Sequence, residues 1–370
     1  MRVTIERTAF LKALNHVQSV VERRNTIPIL SNVLIQAAGA KLRLTATDLD
    51  IEIVETVIAE VGLEGAATVP AHMLYDIVRK LPEGAQLELD QGPDSTRVSI
   101  FAGKSRFSLQ ALPPEDFPDL ASGEPSNTFS ISTEDLKGLI EKTRFAISTE
   151  ETRYYLNGIY LHEVKAGGLL RAVATDGHRL AQAQIPLPDG ASGMPGIIIP
   201  RKTVLDVVKL VEGEDGAVEV SLSSTKIRFS VGNLVLTSKL IDGTFPDYER
   251  VIPRHNDEVL DVDAKSFSQA VDRVSTISME KGRAVKLNIS AGKLTLTVNN
   301  PDSGSAEEEL VVDYGHDPID IGFNARYLLD VAAQVKSENI HFHLADAGSP
   351  TIVRDPGDAQ ALYVLMPMRV

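Results

Sequence analysis

The sequence predicts an α+β chain built from three repeated domains, and three observations carry that prediction. Short motifs recur in one order at nearly one offset. Each copy mixes amphipathic helical stretches with alternating strands, and no long parallel crossovers separate those strands. The 370 residues leave room for two to four domains at roughly 100–200 residues each.

The repeat rests on particular residues. Thr47-Asp48, in Leu-Thr-Ala-Thr-Asp-Leu-Asp, returns as Thr175-Asp176 in Ala-Val-Ala-Thr-Asp-Gly-His, 128 residues later. Phe117-Pro118-Asp119 returns as Phe245-Pro246-Asp247, again at 128. Val69-Pro70 and the helical stretch behind it return as Ile199-Pro200 and another, at 130. A third, more diverged copy has Leu329-Asp330-Val331-Ala332 where the others have Tyr75-Asp76-Ile77-Val78 and Leu205-Asp206-Val207-Val208. In it, Leu294-Thr295-Leu296-Thr297-Val298 stands for the strands before the two Thr-Asp pairs. A period of about 125 residues far exceeds the ~20–50 of solenoids, so each copy is expected to be a domain with its own core. Boundaries near Ser122-Gly123-Glu124-Pro125-Ser126 and Pro253-Arg254-His255-Asn256 give domains over 1–121, 122–253 and 254–370.

In chain order, residues 8–22 carry Phe10, Leu14, Val17 and Val21 on one helical stripe, with Lys12, Ser19 and Arg23 opposite. Lys41-Leu42-Arg43-Leu44-Thr45 alternates as a half-buried antiparallel strand does. Behind Pro70, Leu74, Ile77, Val78 and Leu81 form the next stripe, and Arg79 and Lys80 point away from it. Behind Pro200, Val204, Val208 and Val211 are expected to face in, and Lys202 and Lys209 out. Lys293-Leu294-Thr295-Leu296-Thr297 alternates again.

Composition narrows the function classes. At 43% hydrophobic and 24% charged, the chain is that of an ordinary globular protein. It has no Cys, which excludes disulfides, thiolate catalysis and Cys-ligated zinc and fits a reducing cytoplasm. The first residues, Met1-Arg2-Val3-Thr4-Ile5-Glu6-Arg7, lack the apolar core of a signal peptide. No apolar run approaches the ~18 residues of a membrane span, so no membrane partner is expected. The net charge of −14 leaves two readings open: nucleic acid is irrelevant, or a local basic surface sits on an acidic body.

Candidate chemistry is sparse. Asp176 and His178 stand two apart, as in an acid–base or metal site, yet Asp-Gly is a strong turn signal and the repeat partner Asp48-Leu49-Asp50 has no His. His341-Phe342-His343 puts two imidazoles on one strand face without a third ligand, and reads as an exposed face. Glu307-Glu308-Glu309 reads as a solvated edge. Phosphate-binding Gly loops, a nucleophile elbow and a zincin helix are all missing. No catalytic residue, metal or cofactor is therefore expected.

Basic residues recur on or beside the helices of all three copies: Arg23, Arg24, Lys80, Lys142, Arg144, Arg201, Lys202, Lys209, Arg273, Lys281, Arg283 and Lys286. Singly, each is an ordinary solvated residue, and Asp76 and Glu141 share those faces. If the helices face one space, the charges sum into a field there.

Arg153-Tyr154-Tyr155-Leu156-Asn157-Gly158, Ala174-Thr175-Asp176-Gly177-His178-Arg179-Leu180, Pro200-Arg201-Lys202, Thr237-Ser238-Lys239-Leu240, Phe245-Pro246-Asp247-Tyr248 and Met366-Pro367-Met368-Arg369-Val370 closely resemble the bacterial DNA polymerase III β clamps. The similarity runs from Arg24 and Thr26-Ile27-Pro28-Ile29-Leu30 to the last residue. It implies a non-catalytic processivity factor: three domains per chain and a head-to-tail homodimeric ring around double-stranded DNA, with helices lining the hole and sheets outside. Arg24, Lys80, Lys142, Arg144, Arg201, Lys202, Lys209, Lys281 and Arg283 would then face DNA.

The resemblance also implies a pocket for short hydrophobic motifs of the polymerase III alpha subunit, the clamp loader delta subunit, other polymerases and repair proteins. On the second domain its matching positions are Leu156, Thr175, Gly177, His178, Arg179, Leu180, Pro246, Arg250 and Val251. On the third they are Asn324, Tyr327, Val364, Leu365, Met366, Pro367, Met368 and Arg369. Backbone hydrogen bonds to a peptide are expected near Gly177 and Arg179. Gly348 and Pro350 depart from the Val and Ser common in the family. Two rivals make different predictions: a hydrolase using Asp176 and His178 needs a turnover, and a protein-binding scaffold needs no DNA.

Overall fold

The chain alternates short strands and single amphipathic helices because its apolar residues switch between a period of two and one near 3.6. The computed structural model describes all residues except Asp94, Ala121, Ser122, Met279 to Arg283 and Val370. Among the described residues the helices are α1 (Arg7–Val17), α2 (Ala71–Lys80), α3 (Thr133–Glu141), α4 (Arg201–Val211), α5 (Ala264–Ser275) and α6 (Ala325–Ala332).

Backbone contacts gather the chain into two compact units. The first holds Met1–Glu134, Pro188–Met194 and Lys202–Leu240. It has a five-stranded sheet and an eight-stranded one in the order Asn127–Ser132, Ala217–Leu222, Lys226–Val231, Leu234–Lys239, Ile51–Ile58, Lys41–Thr47, Asn32–Ala38, Gly65–Pro70. The second holds Asp135–Leu187, Pro195–Arg201 and Ile241–Val370. Its eight strands run Ile197–Pro200, Gly158–Val164, Leu169–Thr175, Arg179–Pro186, Ala361–Leu365, Thr351–Arg354, Asn339–Leu344, Glu258–Asp263, and a four-stranded sheet accompanies them. The central joins are antiparallel: Ile51–Ile58 pairs with Leu234–Lys239, and Arg179–Pro186 with Ala361–Leu365. One join thus repeats the other about 128 residues on, as the motif offset requires.

Local chemistry sets the helix ends. Glu6 caps α1 by accepting the amides of Thr8 and Ala9 at 2.8 and 3.0 Å. Phe10, Leu14, Val17 and Val21 are all buried, as expected. The helix nonetheless stops at Val17 rather than at 22, because Ser19 Oγ donates to the His16 carbonyl at 2.7 Å and draws the chain into turns. Asp263 caps α5 and Asn324 caps α6, each accepting a backbone amide.

In α4 the inward face is wider than the expected stripe. Val207, Leu210 and Asp206 are buried beside Val204 and Val211, whereas Val208 is half-buried. Lys202 is not a solvated cation either: its ammonium is bonded to Asp48. The Glu307 to Glu309 run does lie on an edge strand, Gly304–Val311, with Glu308 paired to Arg273 at 2.5 Å and Glu309 to Lys293 at 3.0 Å. His341 and His343 are half-buried rather than exposed, and His341 Nε2 lies 3.2 Å from Asp261 Oδ2.

Candidate functional site

The Thr175 to Arg179 turn shapes a largely apolar cavity of the second unit. Thr175 Oγ1 donates to the Arg179 carbonyl at 2.7 Å and accepts the Gly177 amide at 3.1 Å. Asp176 Oδ1 accepts the amides of His178 and Arg179 at 2.9 and 3.1 Å. Closing so tight a turn forces Gly177 to a φ of +89°, where a side chain is strained. A Cβ there would also meet Arg153 Nη1 at 2.5 Å.

These bonds bear on two readings of the motif. Asp176 is held by two amides and the Arg179 guanidinium, and His178 is exposed, so the pair is a turn and not an acid–base couple. The amides of 177, 178 and 179 are all engaged within the turn, so backbone bonds to a peptide near Gly177 and Arg179 would fall to carbonyl acceptors. Among the described residues no group of three or more His, Asp or Glu is arranged to hold a metal.

Beside the turn lies a cavity of about 330 Å³ lined by Leu156, Leu180, Val364 and Met366, with Tyr155, Pro246, Tyr248 and Val251 around it. Leu156, Leu180, Tyr248 and Val364 belong to one buried cluster with Val173, Ile198, Phe245, Ile352 and Leu362, which makes the floor firm. Val251 and Met366 form the exposed part of the rim, at 49% and 40% exposed, and the unbranched Met366 can repack around varied side chains. Tyr248 is fixed from behind: its hydroxyl accepts Arg171 Nη1 at 2.9 Å and lies 2.9 Å from His162 Nε2. Burial pushes the Tyr248 hydroxyl up and the His162 imidazole down from their ordinary values. Neutral His162 can then accept the proton that Tyr248 donates.

A second cavity of about 340 Å³ contains His178, Tyr327, Arg144, Arg201 and Arg326 and shares Arg179 with the first. Arg179 is 7% exposed and fully engaged. It donates to Asp176 at 3.1 Å, Asp330 at 2.5 Å and the Phe145 carbonyl at 2.6 Å, and its guanidinium lies 4.3 Å from the Tyr327 ring centroid.

The structure brings Leu156, Thr175, Gly177, Arg179, Leu180, Pro246, Val251, Val364 and Met366 together around the first cavity, and His178 and Tyr327 around the second. Arg250 is exposed and paired with Asp247 at 2.7 Å, Asn324 is spent on the α6 cap, and Leu365 is buried within its strand. The chain end is docked: the Met366 amide donates to the His178 carbonyl at 3.0 Å and that of Met368 to Gly322 at 2.8 Å. Pro367 lies between them half-buried, and Arg369 is exposed. Arg153, Tyr155, Asp247 and Tyr248 were missed as lining residues, although both motifs that carry them were visible.

Of the basic residues proposed to face DNA, Arg24, Lys80, Arg144, Arg201 and Lys209 are exposed. Lys142 is paired with Asp358 at 2.5 Å, Lys209 with Asp206 at 3.1 Å, and Lys202 with Asp48. Lys281 and Arg283 lie outside the described residues.

Comparison with known proteins matches the whole chain. Models of the DNA polymerase III beta subunit match as its N-terminal domain over residues 1–121, its central domain over 130–247 and its C-terminal domain over 249–369. The beta sliding clamp of Caulobacter vibrioides is 56% identical over 372 residues, and that of Escherichia coli K12 41% over 373, each covering 100% of both chains. A crystal structure of the Bartonella birtlesii sliding clamp bound to griselimycin superposes with a TM-score of 0.97 at 56% identity, covering 100% of both chains.

Proposed function

Since the chain belongs to the DNA polymerase III beta subunit family, we propose that the cavity beside the Thr175 to Arg179 turn receives the short apolar motifs of the proteins it tethers. The protein is a DNA sliding clamp, a processivity factor and a non-catalytic subunit of the polymerase III holoenzyme. The alpha subunit, the loader's delta subunit, other polymerases and repair proteins are its proposed partners there, in the cytoplasm. Griselimycin, bound by the Bartonella relative, is proposed to compete for the same cavity.

One observation carries the pocket reading: an open, largely apolar cavity with a fixed floor of Leu156, Leu180 and Val364 and an adaptable Met366 rim. A motif seating one Leu and one Phe gains ~1.5–3 kcal/mol from each. With the turn's amides occupied, apolar burial supplies most of the gain, and ordering the peptide consumes part of it. Affinity is expected near micromolar, about −8 kcal/mol, which permits exchange among partners.

The acidic body carries DNA through local contacts. Two chains, each with domains over 1–121, 122–253 and 254–370, are proposed to close head to tail around the duplex. Arg24, Lys80, Arg144 and Arg201 supply exposed charge toward the phosphates. The ion-paired Lys142, Lys202 and Lys209 contribute less. Weak, sequence-blind backbone contacts suit sliding, and retention follows from encirclement.

Calorimetric titration with a synthetic peptide ending in Leu-Phe tests the pocket. Deleting Met366 to Val370 is expected to weaken binding by at least ~2 kcal/mol while the dimer survives. Unchanged affinity would remove the pocket from consideration.

A further inference from the structure

The first unit contains a second copy of the pocket's scaffold. Thr47 Oγ1 donates to the Ile51 carbonyl at 2.8 Å and accepts the Leu49 amide at 3.0 Å, while Asp48 Oδ1 accepts the amides of Asp50 and Ile51 at 2.9 and 2.7 Å. Leu49 takes a φ of +78°, matching Gly177. The Lys239 amide donates to the Asp50 carbonyl at 2.8 Å, as that of Met366 does to His178. Glu52 faces Thr237 across the strands where Leu180 faces Val364. The two sites therefore share a backbone and differ in lining.

That lining is polar where the pocket is apolar. Glu52 stands for Leu180, Thr237 for Val364 and Lys239 for Met366. Glu52 is 9% exposed, and its carboxylate accepts the amide of Leu120, the counterpart of Tyr248, at 3.3 Å. Gly123 and Thr237, the counterparts of Val251 and Val364, line only a small cavity of about 70 Å³, whose other walls are Pro125 and residues between 221 and 228 and which Glu52 does not line.

We propose that Glu52, supported by Thr237 and Lys239, closes this counterpart to apolar motifs, so that each chain offers one partner pocket. An apolar side chain seated against Glu52 would strip the carboxylate of its remaining water and return no hydrogen bond. The acid is already short of solvation, since burial pushes its carboxyl above the usual range despite the Leu120 amide. Lys239, paired with Asp50 at 3.0 Å, puts a solvated charge at the rim where Met366 offers adaptable apolar surface.

The inference rests on the pocket reading, and one series of titrations with the same peptide separates the two. Wild-type protein is expected to bind one peptide per chain; none would overturn the pocket reading itself. The combined variant Glu52→Leu, Thr237→Val, Lys239→Met is expected to bind two, the second within about tenfold of the first. A folded variant that still binds one overturns the inference and leaves the pocket standing. Leu180→Glu tests the same point in reverse and decides the matter should the combined variant not fold. A carboxylate at that register is expected to weaken the native site at least about tenfold, and affinity within threefold of wild type would overturn the proposal.

Discussion

Arg179 joins three parts of the second unit through one planar group, reaching Asp176, Asp330 and the Phe145 carbonyl while lying against Tyr327. Removing it leaves the Phe145 carbonyl unmatched and Asp330 with only Arg326, at 3.9 Å, beside the pocket. Arg179→Ala is expected to cost on the order of 3 kcal/mol in urea unfolding, and Arg179→Lys to recover less than half, since a compact ammonium cannot span acceptors spread around a planar guanidinium. His162 sets a pH limit. Burial lowers its proton affinity in the folded chain, so below the unfolded value near ~6.5 the unfolded chain takes up the proton first. Stability is complete above that pH and is lost as pH falls toward the folded value. His162→Gln should reduce the slope of the urea midpoint between pH 7 and 5. It should not abolish it, because His343 is shifted the same way by burial.

The Thr-Asp turn shows what a sequence discloses about an element and what it conceals. Its recurrence was plain in the letters, because the hydroxyl and carboxylate that close it are themselves the motif. The stripe Phe10, Leu14, Val17 and Val21 was equally legible, since a helix buries what its period aligns. The buried Asp206 on α4 was not, because hydropathy assigns a carboxylate to solvent. Nor were Arg179 with Asp330, or Tyr248 with Arg171, whose partners stand 151 and 77 residues apart and leave no local trace. The same turn offers a stability test. Leu49 is a residue with a side chain in a left-handed conformation that costs roughly 1–2 kcal/mol, and it is 39% exposed. After the flexibility Gly adds to the unfolded chain, Leu49→Gly should gain about 0.5–1 kcal/mol, read as a higher melting temperature.

For the whole molecule, a net charge of −14 and a DNA-tethering function are compatible if retention is topological. Loaded protein should persist on a nicked circle and run off a linear duplex, with equal retention on both counting against encirclement. Reversing Arg24, Arg144 and Arg201 together should impair retention at low salt more than at high salt, because exposed charges are screened. The sheet join described above also has a cost in time. Ile51–Ile58 waits for Leu234–Lys239, which leaves the ribosome 176 residues later. At ~5–20 residues per second the nascent edge stands bare for about 10–35 s. Glu52 and Glu55 give that otherwise β-branched, aggregation-prone strand two charges during the interval. Neutralising Glu52 therefore burdens the newborn chain as well as the finished one, and the variant that gains a second site should need faster elongation or a chaperone to reach solution in equal yield.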